Sequence, residues 1–272
     1  MALKNILVSY NGSPQTQSAL NTALILADRY NAHITGILAH GIPYMLYSYG
    51  GHVPQSAMDQ LLEADREHRR QTRTAFMEAA AALPPGRVHF LDVEADPNEG
   101  LMEVALGYDL VVMGAPEKHP EFPHMEAQAD VIARNSGKPV LMVPFGYNAA
   151  EFSERVLLAW DGKRAASRAM GDAIKLLGEA TEIMVLSIGK GEKPAKTAAP
   201  ARTHLERHGF SVNILTRNSR KIAKTILKTA KETGVGMLVM GAYEHAKLAE
   251  DLFGGVTNTV LKKSKIPVLL SH

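Results

Sequence analysis

Residues 240–260 read MGAYEHAKLAEDLFGGVTNTV and follow an apolar run that ends in MLVM. Gly241 closes that run, and the pair Gly254 and Gly255 stands just before a predicted helix start. A helix N-terminus presents N–H groups that lack intrahelical partners, and glycine lets a phosphate approach the backbone closely. The stretch therefore predicts a strand, a glycine turn and a helix that suit an anion site, although many such glycines only close a tight connection.

The same pattern occurs earlier in the chain, which indicates an internal duplication. Three segments recur in the same order: NILVSY (5–10) and RVLLAW (155–160), MGAPEK (113–118) and MGAYEH (240–245), and KPVLMV (138–143) and IPVLLS (266–271). Three ordered matches argue against chance. We place the joint between the copies at residues 144–153 and predict two domains, 1–148 and 149–272.

Short apolar runs alternate with helical patterns in both copies. Strands that are separated by helices form parallel sheets, because a crossover helix returns the chain to the same end of the sheet. We therefore predict an α/β fold with five parallel strands in each of the two tandem copies. Residues 55–83 have the pattern of a long helix, and we interpret its polar middle, EADREHRRQTR, as a solvent-exposed face.

Composition excludes several kinds of protein. Among the 272 residues, 46% are hydrophobic and 21% are charged, which is typical of globular proteins. The absence of cysteine excludes disulfides, thiolate catalysis and cysteine metal sites. A net charge of +2 without a long basic run gives no electrostatic case for nucleic acid. No signal-peptide pattern and no apolar window of about 20 residues occur. We expect a soluble cytoplasmic protein without nucleic-acid or membrane partners.

The apolar strands, the acid or amide after the first strand of each copy and the MGA-type glycine after the fourth resemble the universal stress protein family over essentially the whole chain. The resemblance implies two tandem, open, parallel five-stranded sheets of Rossmann-like type, with strand order 3-2-1-4-5 in each copy and helices on both faces. It implies an adenine-nucleotide site outside the carboxyl ends of the first and fourth strands. It further implies that residues 139–143 and 267–270 pair antiparallel where the copies meet in an intramolecular pseudo-dimer. The sequence leaves open whether the tandem chain also forms a homodimer.

The family's nucleotide motif is glycine, two residues, glycine, nine residues, and a final glycine followed by serine or threonine. The second copy keeps part of it, since Gly241 and Gly254 match the first and last glycines. Glu244 replaces the second glycine, and Gly255 replaces the hydroxyl residue. A carboxylate about 4 Å from a phosphate charge would cost about 1 kcal/mol in water-like surroundings and about 4 kcal/mol at an effective dielectric near 20.

By resemblance, the site for ATP or another adenine nucleotide consists of seven residues of the second copy: Asp161, Ile188, Gly241, Gly254, Gly255, Val256 and Thr257. Asp161 would orient the ribose or a magnesium ion, and Ile188 would meet adenine through its backbone. The remaining residues would cradle phosphate.

The first copy departs further from the motif. Asn11 replaces the acid, Glu117 takes the place of the second glycine, and Ala127 with Gln128 occupies the phosphate seat. We interpret the first copy as a degenerate, structural domain.

Two other kinds of function stay open. The degraded motifs and the tyrosines at positions 44, 47 and 49 would suit a scaffold that acts through a protein partner without binding nucleotide. A slow ATPase is the third alternative, but no catalytic arrangement can be assembled from the spacing. His119 and His124 flank a proline-containing loop, and we identify no further residues that would complete a metal site with them.

Overall fold

The computed structural model describes residues 3–42, 54–116, 121–152, 155–178, 181–242 and 255–272. The first half contains the strands β1 (Asn5–Ser9), β2 (His33–His40), β3 (Val88–Glu94), β4 (Leu110–Gly114) and β5 (Val140–Val143). Its helices are α1 (Pro14–Arg29), α2 (Gln55–Ala79), α3 (Pro97–Ala105) and α4 (Ala129–Asn135). The second half contains β6 (Arg155–Ala159), β7 (Glu182–Ile188), β8 (Ser211–Arg217), β9 (Met237–Gly241) and β10 (Val268–Ser271). Its helices are α5 (Arg164–Ile174), α6 (Lys193–Arg207), α7 (Ile222–Thr233) and α8 (Val256–Lys263).

All the strands belong to one 10-stranded sheet with the order β3-β2-β1-β4-β5-β10-β9-β6-β7-β8. Each half therefore has the expected order 3-2-1-4-5. The pairs within each half are parallel, and β5 and β10 pair antiparallel with Leu141 opposite Leu269. The last strands meet as the resemblance implied, so the two predicted sheets join edge to edge into one. Joining covers two edges whose backbone N–H and C=O groups would otherwise lack strand partners.

Helices cover both faces of the sheet, which explains why its central strands are apolar throughout. One core cluster holds residues of α1, α2, α5 and α6, and the other holds residues of α3, α4, α7 and α8. Strands buried on both faces lose the alternation of polar and apolar residues that marks a half-exposed sheet. In β4, for example, the residues from Leu110 to Val112 are completely buried.

The polar middle of α2 is a solvent-exposed face only in part, so that expectation was wrong along one stripe of the helix. Asp65 and Thr72 are buried, at 7% and 2% exposure, because this stripe faces the sheet. Arg69 lies between them and donates to Asp65 of its own helix at 3.2 Å and to Asp92 of β3 at 2.9 Å. The stripe buries polar groups that partner one another across two elements.

Across the described ranges, no helix combines the length and the apolar character that a bilayer crossing requires.

Candidate functional site

The carboxyl ends of β6, β7 and β9 bring three of the predicted site residues to one edge of the sheet. Ala159 of β6 pairs with Leu186 of β7 and with Met240 of β9. Asp161 therefore stands just past the end of β6 at the level of Ile188, which ends β7. Gly241 ends β9 on the other side of β6. The three residues flank the crevice at which the strand order changes direction, where ligands bind in open α/β sheets.

The N-terminus of α8 faces the same edge, because a helix that connects two parallel strands runs back from their carboxyl ends. Gly255 is the N-cap and has no side chain that could cap the helix, and no acidic residue stands in the first turn. Val256 and Thr257 form that first turn, and Thr257 is buried. Glycine at the N-cap therefore does not supply the side-chain acceptor that an aspartate or serine would place beside the first N–H groups of α8. Gly254 lies outside the described residues, as does Glu244.

Gly241 has a packing role in the structure. A Cβ on Gly241 would lie 2.6 Å from the carbonyl carbon of Ala165 and 2.6 Å from the nitrogen of Ala166. Gly114 is the matching glycine of the first half. A Cβ on Gly114 would lie 2.7 Å from the carbonyl oxygen of Gln15. Backbone atoms cannot rotate away as a side chain can, so glycine is what allows the first turns of α5 and α1 to lie against the sheet.

A tight turn after β6 holds the carboxylate of Asp161 in place. Its Oδ1 accepts a hydrogen bond from the backbone N–H of Lys163 at 3.0 Å. Gly162, between them, has a φ of 78°, and a Cβ there would lie 2.4 Å from Cγ2 of Thr197. Asp161 itself is exposed. The turn therefore presents a carboxylate whose second oxygen can meet a hydroxyl group or a hydrated cation.

Two cationic residues beside Asp161 were not identified as site residues from the sequence. Lys163 and Arg164 open α5, whereas the corresponding positions of the first half hold Ser13 and Pro14. A guanidinium nitrogen of Arg164 lies 3.4 Å from Nε2 of the C-terminal residue His272. The other ring nitrogen of His272 lies 2.7 Å from the carbonyl oxygen of Ala242, just past β9. Residue-by-residue comparison of the two copies would have revealed the two added charges.

The corresponding crevice of the first half is nearly closed. It is lined by residues at the carboxyl ends of β1 and β4, among them Asn11 and Gly114, and holds about 20 Å³ of open space. That is room for one water molecule. The position that a phosphate would take at the start of α4 is also blocked. The N–H of Gln128 donates to the side-chain oxygen of Asn98 at 2.8 Å, and Asp130 stands in the first helical turn.

A short loop segment after β4, which includes the turn Pro123–Met125, is fixed over the first half by His124. The backbone oxygen of His124 accepts from the N–H of Gly41 at 2.9 Å, and its Nε2 lies 2.8 Å from Oδ1 of Asp65. His119 lies outside the described residues; within them, no three histidine or acidic side chains converge on a metal-sized site.

Tyr10 follows β1 in the first half. Its hydroxyl donates to Gln17 at 2.9 Å, and burial raises the pKa of Tyr10.

Comparison with known proteins agrees with the duplicated architecture. The model of the universal stress protein family matches residues 2–144 and 153–272. Universal stress protein Slr1230 of Synechocystis sp. is 22% identical, over 98% of this chain and 99% of its own length. The structure of a universal stress protein from Archaeoglobus fulgidus covers 98% of this chain and 95% of that chain, with a TM-score of 0.73 and 14% identity. The functionally unknown protein PA1789 from Pseudomonas aeruginosa covers 99% of this chain and 92% of its own, with a TM-score of 0.59 and 18% identity. Because the family model matches two tandem segments that span nearly the whole sequence, the chain belongs to the universal stress protein family.

Proposed function

We propose that the second domain, residues 149–272, binds an adenine nucleotide at the edge formed by β6, β7, β9 and the start of α8. The contrast between the two helix starts carries this proposal. In α8 the N-cap is glycine and the first turn is free of acid, whereas in α4 an asparagine side chain and an aspartate stand at the same place. The first domain, residues 1–148, completes the sheet and holds no nucleotide in its closed crevice.

The site residues of the second domain have different roles in this proposal. Asp161 orients the ribose or a magnesium ion, and the backbone of Ile188 meets the adenine edge. The first N–H groups of α8, beginning at Val256 and Thr257, hold phosphate oxygens, together with Gly254 and Gly255 before them. The magnesium ion, when present, neutralises phosphate charge.

Lys163 and Arg164 strengthen the electrostatic case for phosphate. They place two positive charges beside the single carboxylate of Asp161, where the first domain has none at the matching positions. An exposed cation about 4 Å from a phosphate contributes about 1 kcal/mol at water-like dielectric and more in a partly enclosed crevice. The pair therefore offsets the repulsion that Glu244 of the motif brings to the phosphates.

Isothermal titration calorimetry with ATP, ADP and AMP, with and without magnesium, tests the proposal. We expect saturable binding to the full chain by at least one of the three nucleotides. The variant Gly255→Asp should abolish binding, because an aspartate at the N-cap accepts from the same N–H groups that would hold phosphate. No atom of the described residues lies within 4 Å of a Cβ built on Gly255, so this variant should fold normally.

The matched control is Gln128→Asp, which places the same side chain at the N-cap of α4 in the first domain. We expect it to leave nucleotide binding unchanged. No heat at millimolar nucleotide from the wild-type chain would refute the proposal. Equal loss of binding in both variants would refute the assignment to the second domain.

A further inference from the structure

One face of the ten-stranded sheet is covered by α3, α4, α7 and α8, whose residues belong to one core cluster. At the joint between the halves, α4 contacts β5 and β10, and α3 packs beside it on β2. In the second half, α8 packs beside α7, which returns the chain from the outer strand β8 to β9. The outer helices of this face are therefore α3 and α7. Because β5 and β10 pair antiparallel, the two halves run in opposite directions, and so do these two helices.

The outward stripe of α3 is acidic and partly apolar. Glu99 and Glu103 are exposed and stand one helical turn apart. Met102 is half-buried between them, and Leu106, just past the end of the helix, is 65% exposed. Residues that are three or four positions apart share one side of a helix. The helix contains no basic residue, and neither glutamate side chain forms an ion pair within the described ranges.

The outward stripe of α7 has the same spacing and the opposite charge. Lys224, Lys228 and Lys231 are exposed, and Leu227 is half-buried among them. The one acid of this helix, Glu232, lies 3.4 Å from Lys228. Lys224 stands in the first turn, where a positive charge opposes the helix dipole. The dipole therefore does not explain the lysine at this end of the stripe.

We propose that the face formed by these four helices binds a second copy of the chain, with the two-fold axis along the joint and parallel to the strands. Rotation about this axis places α3 of one copy against α7 of the other and repeats the contact on the far side of the joint. Rotation about the perpendicular axis in the same plane would place α3 against α3 and α7 against α7. Like charges would then face each other, so the charge pattern selects the first arrangement.

The direction of the helices agrees with this arrangement. An axis parallel to the strands keeps α3 and α7 antiparallel when they come from different copies. Glu99, near the start of α3, then faces Lys231, near the end of α7, and Glu103 faces Lys224. The half-buried apolar side chains between these charges meet in the middle of the contact. An apolar centre with a charged rim is the usual composition of a protein interface.

The inner helices follow the same rule. In the dimer, α4 of one copy faces α8 of the other, again antiparallel. The first turn of α4 contains Asp130, and the last turn of α8 contains Lys262 and Lys263. Acidic helix starts therefore meet basic helix ends in both pairs. The contact uses no residue of the candidate nucleotide site except those that α8 contributes to both, and the proposal does not depend on nucleotide binding.

Analytical ultracentrifugation of the full chain tests the proposal first. The chain should show a reversible equilibrium between monomer and dimer. The dissociation constant should rise at least about tenfold between about 0.05 and 0.5 M salt, because exposed charges are screened. A chain that stays monomeric overturns the proposal, including one whose α7 lysines bind a polyanion such as heparin instead. A dimer that salt does not weaken also overturns it.

Two charge-reversed variants identify the surfaces that pair. Glu99→Lys with Glu103→Lys makes both outer helices positive, and Lys224→Glu with Lys231→Glu makes both negative. Each variant alone should dimerise at least about 100-fold more weakly than wild type, because like charges face each other at both contacts. An equimolar mixture should form a one-to-one heterodimer, since both of its contacts pair opposite charges. If both variants keep the far-UV circular dichroism of wild type and the mixture stays monomeric, the proposal is wrong.

The matched control reverses two exposed charges on the opposite face of the sheet. Arg66→Glu with Arg73→Glu changes the net charge as much as the α7 variant does, but on α2. This control should dimerise as wild type does. Equal weakening in the control would mean that the net charge of the chain, and not the pairing of α3 with α7, governs association. A dimer that neither the α3 nor the α7 variant weakens would use another surface and would overturn the proposal.

Discussion

Replacement of Arg69 by methionine tests whether the buried polar stripe of α2 stabilises the first half. Methionine keeps most of the side-chain length but removes the guanidinium, which bridges Asp65 and Asp92 at 3.2 and 2.9 Å. The side chain of Asp65 is only 9% exposed, so its carboxylate has little access to water once the arginine is gone. We therefore expect Arg69→Met to lower the free energy of unfolding substantially.

The structure also sets the size of the effect. Removal of one partner from a buried ion pair typically costs about 3 to 5 kcal/mol, because the other charge is left buried without compensation. Asp92 is 38% exposed, and each aspartate keeps a histidine partner after the substitution. These two features place the expected loss at the lower end of that range, about 3 kcal/mol. A solvent-exposed arginine, as the sequence suggested, would instead contribute about 0 to 1 kcal/mol.

The free energy of unfolding is measured in urea, with far-UV circular dichroism as the signal for the whole chain. The single tryptophan, Trp160, lies in the second half, so its fluorescence reports that half separately. The matched control is Arg66→Met, because Arg66 lies on the same helix with its side chain 65% exposed and, among the described residues, pairs only with the exposed Glu63. Losses that are equal in the two variants, or a loss below about 1 kcal/mol for Arg69→Met, would refute the argument.

Further predictions concern other parts of the chain. Gly241→Ala should lower the free energy of unfolding by about 1 to 3 kcal/mol, because its Cβ would meet backbone atoms of α5. Gly171→Ala, within α5 and with no atom near the added Cβ, should raise it by about 0.5 to 1 kcal/mol in the same urea assay. Since burial raises the pKa of Tyr10 above 10.0, its contribution to stability is complete below pH 10.0 and falls as the pH rises through the folded-state value. Unfolding of wild type and Tyr10→Phe on both sides of pH 10.0 should show the smaller loss at high pH in the variant. Glu244→Gly restores the second motif glycine and should tighten nucleotide binding about tenfold by calorimetry; unchanged affinity would mean that this carboxylate lies away from the phosphates.

The strands of the sheet could be predicted closely because the sequence patterns that mark them are local and occur in both copies. Runs such as NILVSY and DLVVM are apolar on both strand faces and end at glycine, asparagine or aspartate, which marks them as buried strands. The duplication then doubled the evidence for each element. The strand order came from resemblance, because apolar runs alone do not determine which strands are neighbours.

The buried stripe of α2 could not be predicted because its partners are distant in sequence. Asp65 and Arg69 are one helical turn apart and read as a solvent-exposed ion pair. Their other partners, Asp92 and His124, come from β3 and from the loop after β4. A hydropathy pattern records whether a residue is polar and carries no information on whether a distant residue will satisfy it.

Prediction of the candidate site from sequence was limited in a different way. Motif matching identified Gly241 as a phosphate residue, while the structure reveals a packing role that its counterpart Gly114 shares in the half with a closed crevice. A glycine can therefore persist in the motif where the crevice has no room for a ligand. The charges at Lys163 and Arg164 distinguish the two copies, whereas Gly241 and Gly114 do not.

The two halves show that this fold separates the residues that join the copies from the residues that line the crevices. The joint depends on β5 and β10, whose paired side chains are apolar and completely buried. The crevices depend on residues that follow the strands and on the first turn of one helix in each copy. A substitution at a crevice therefore leaves the strand register intact, and the two copies can differ at the helix start, where one has glutamine and the other glycine at the N-cap. On this basis, Gly255→Asp should change binding at the second half without changing the cooperative unfolding of the shared sheet.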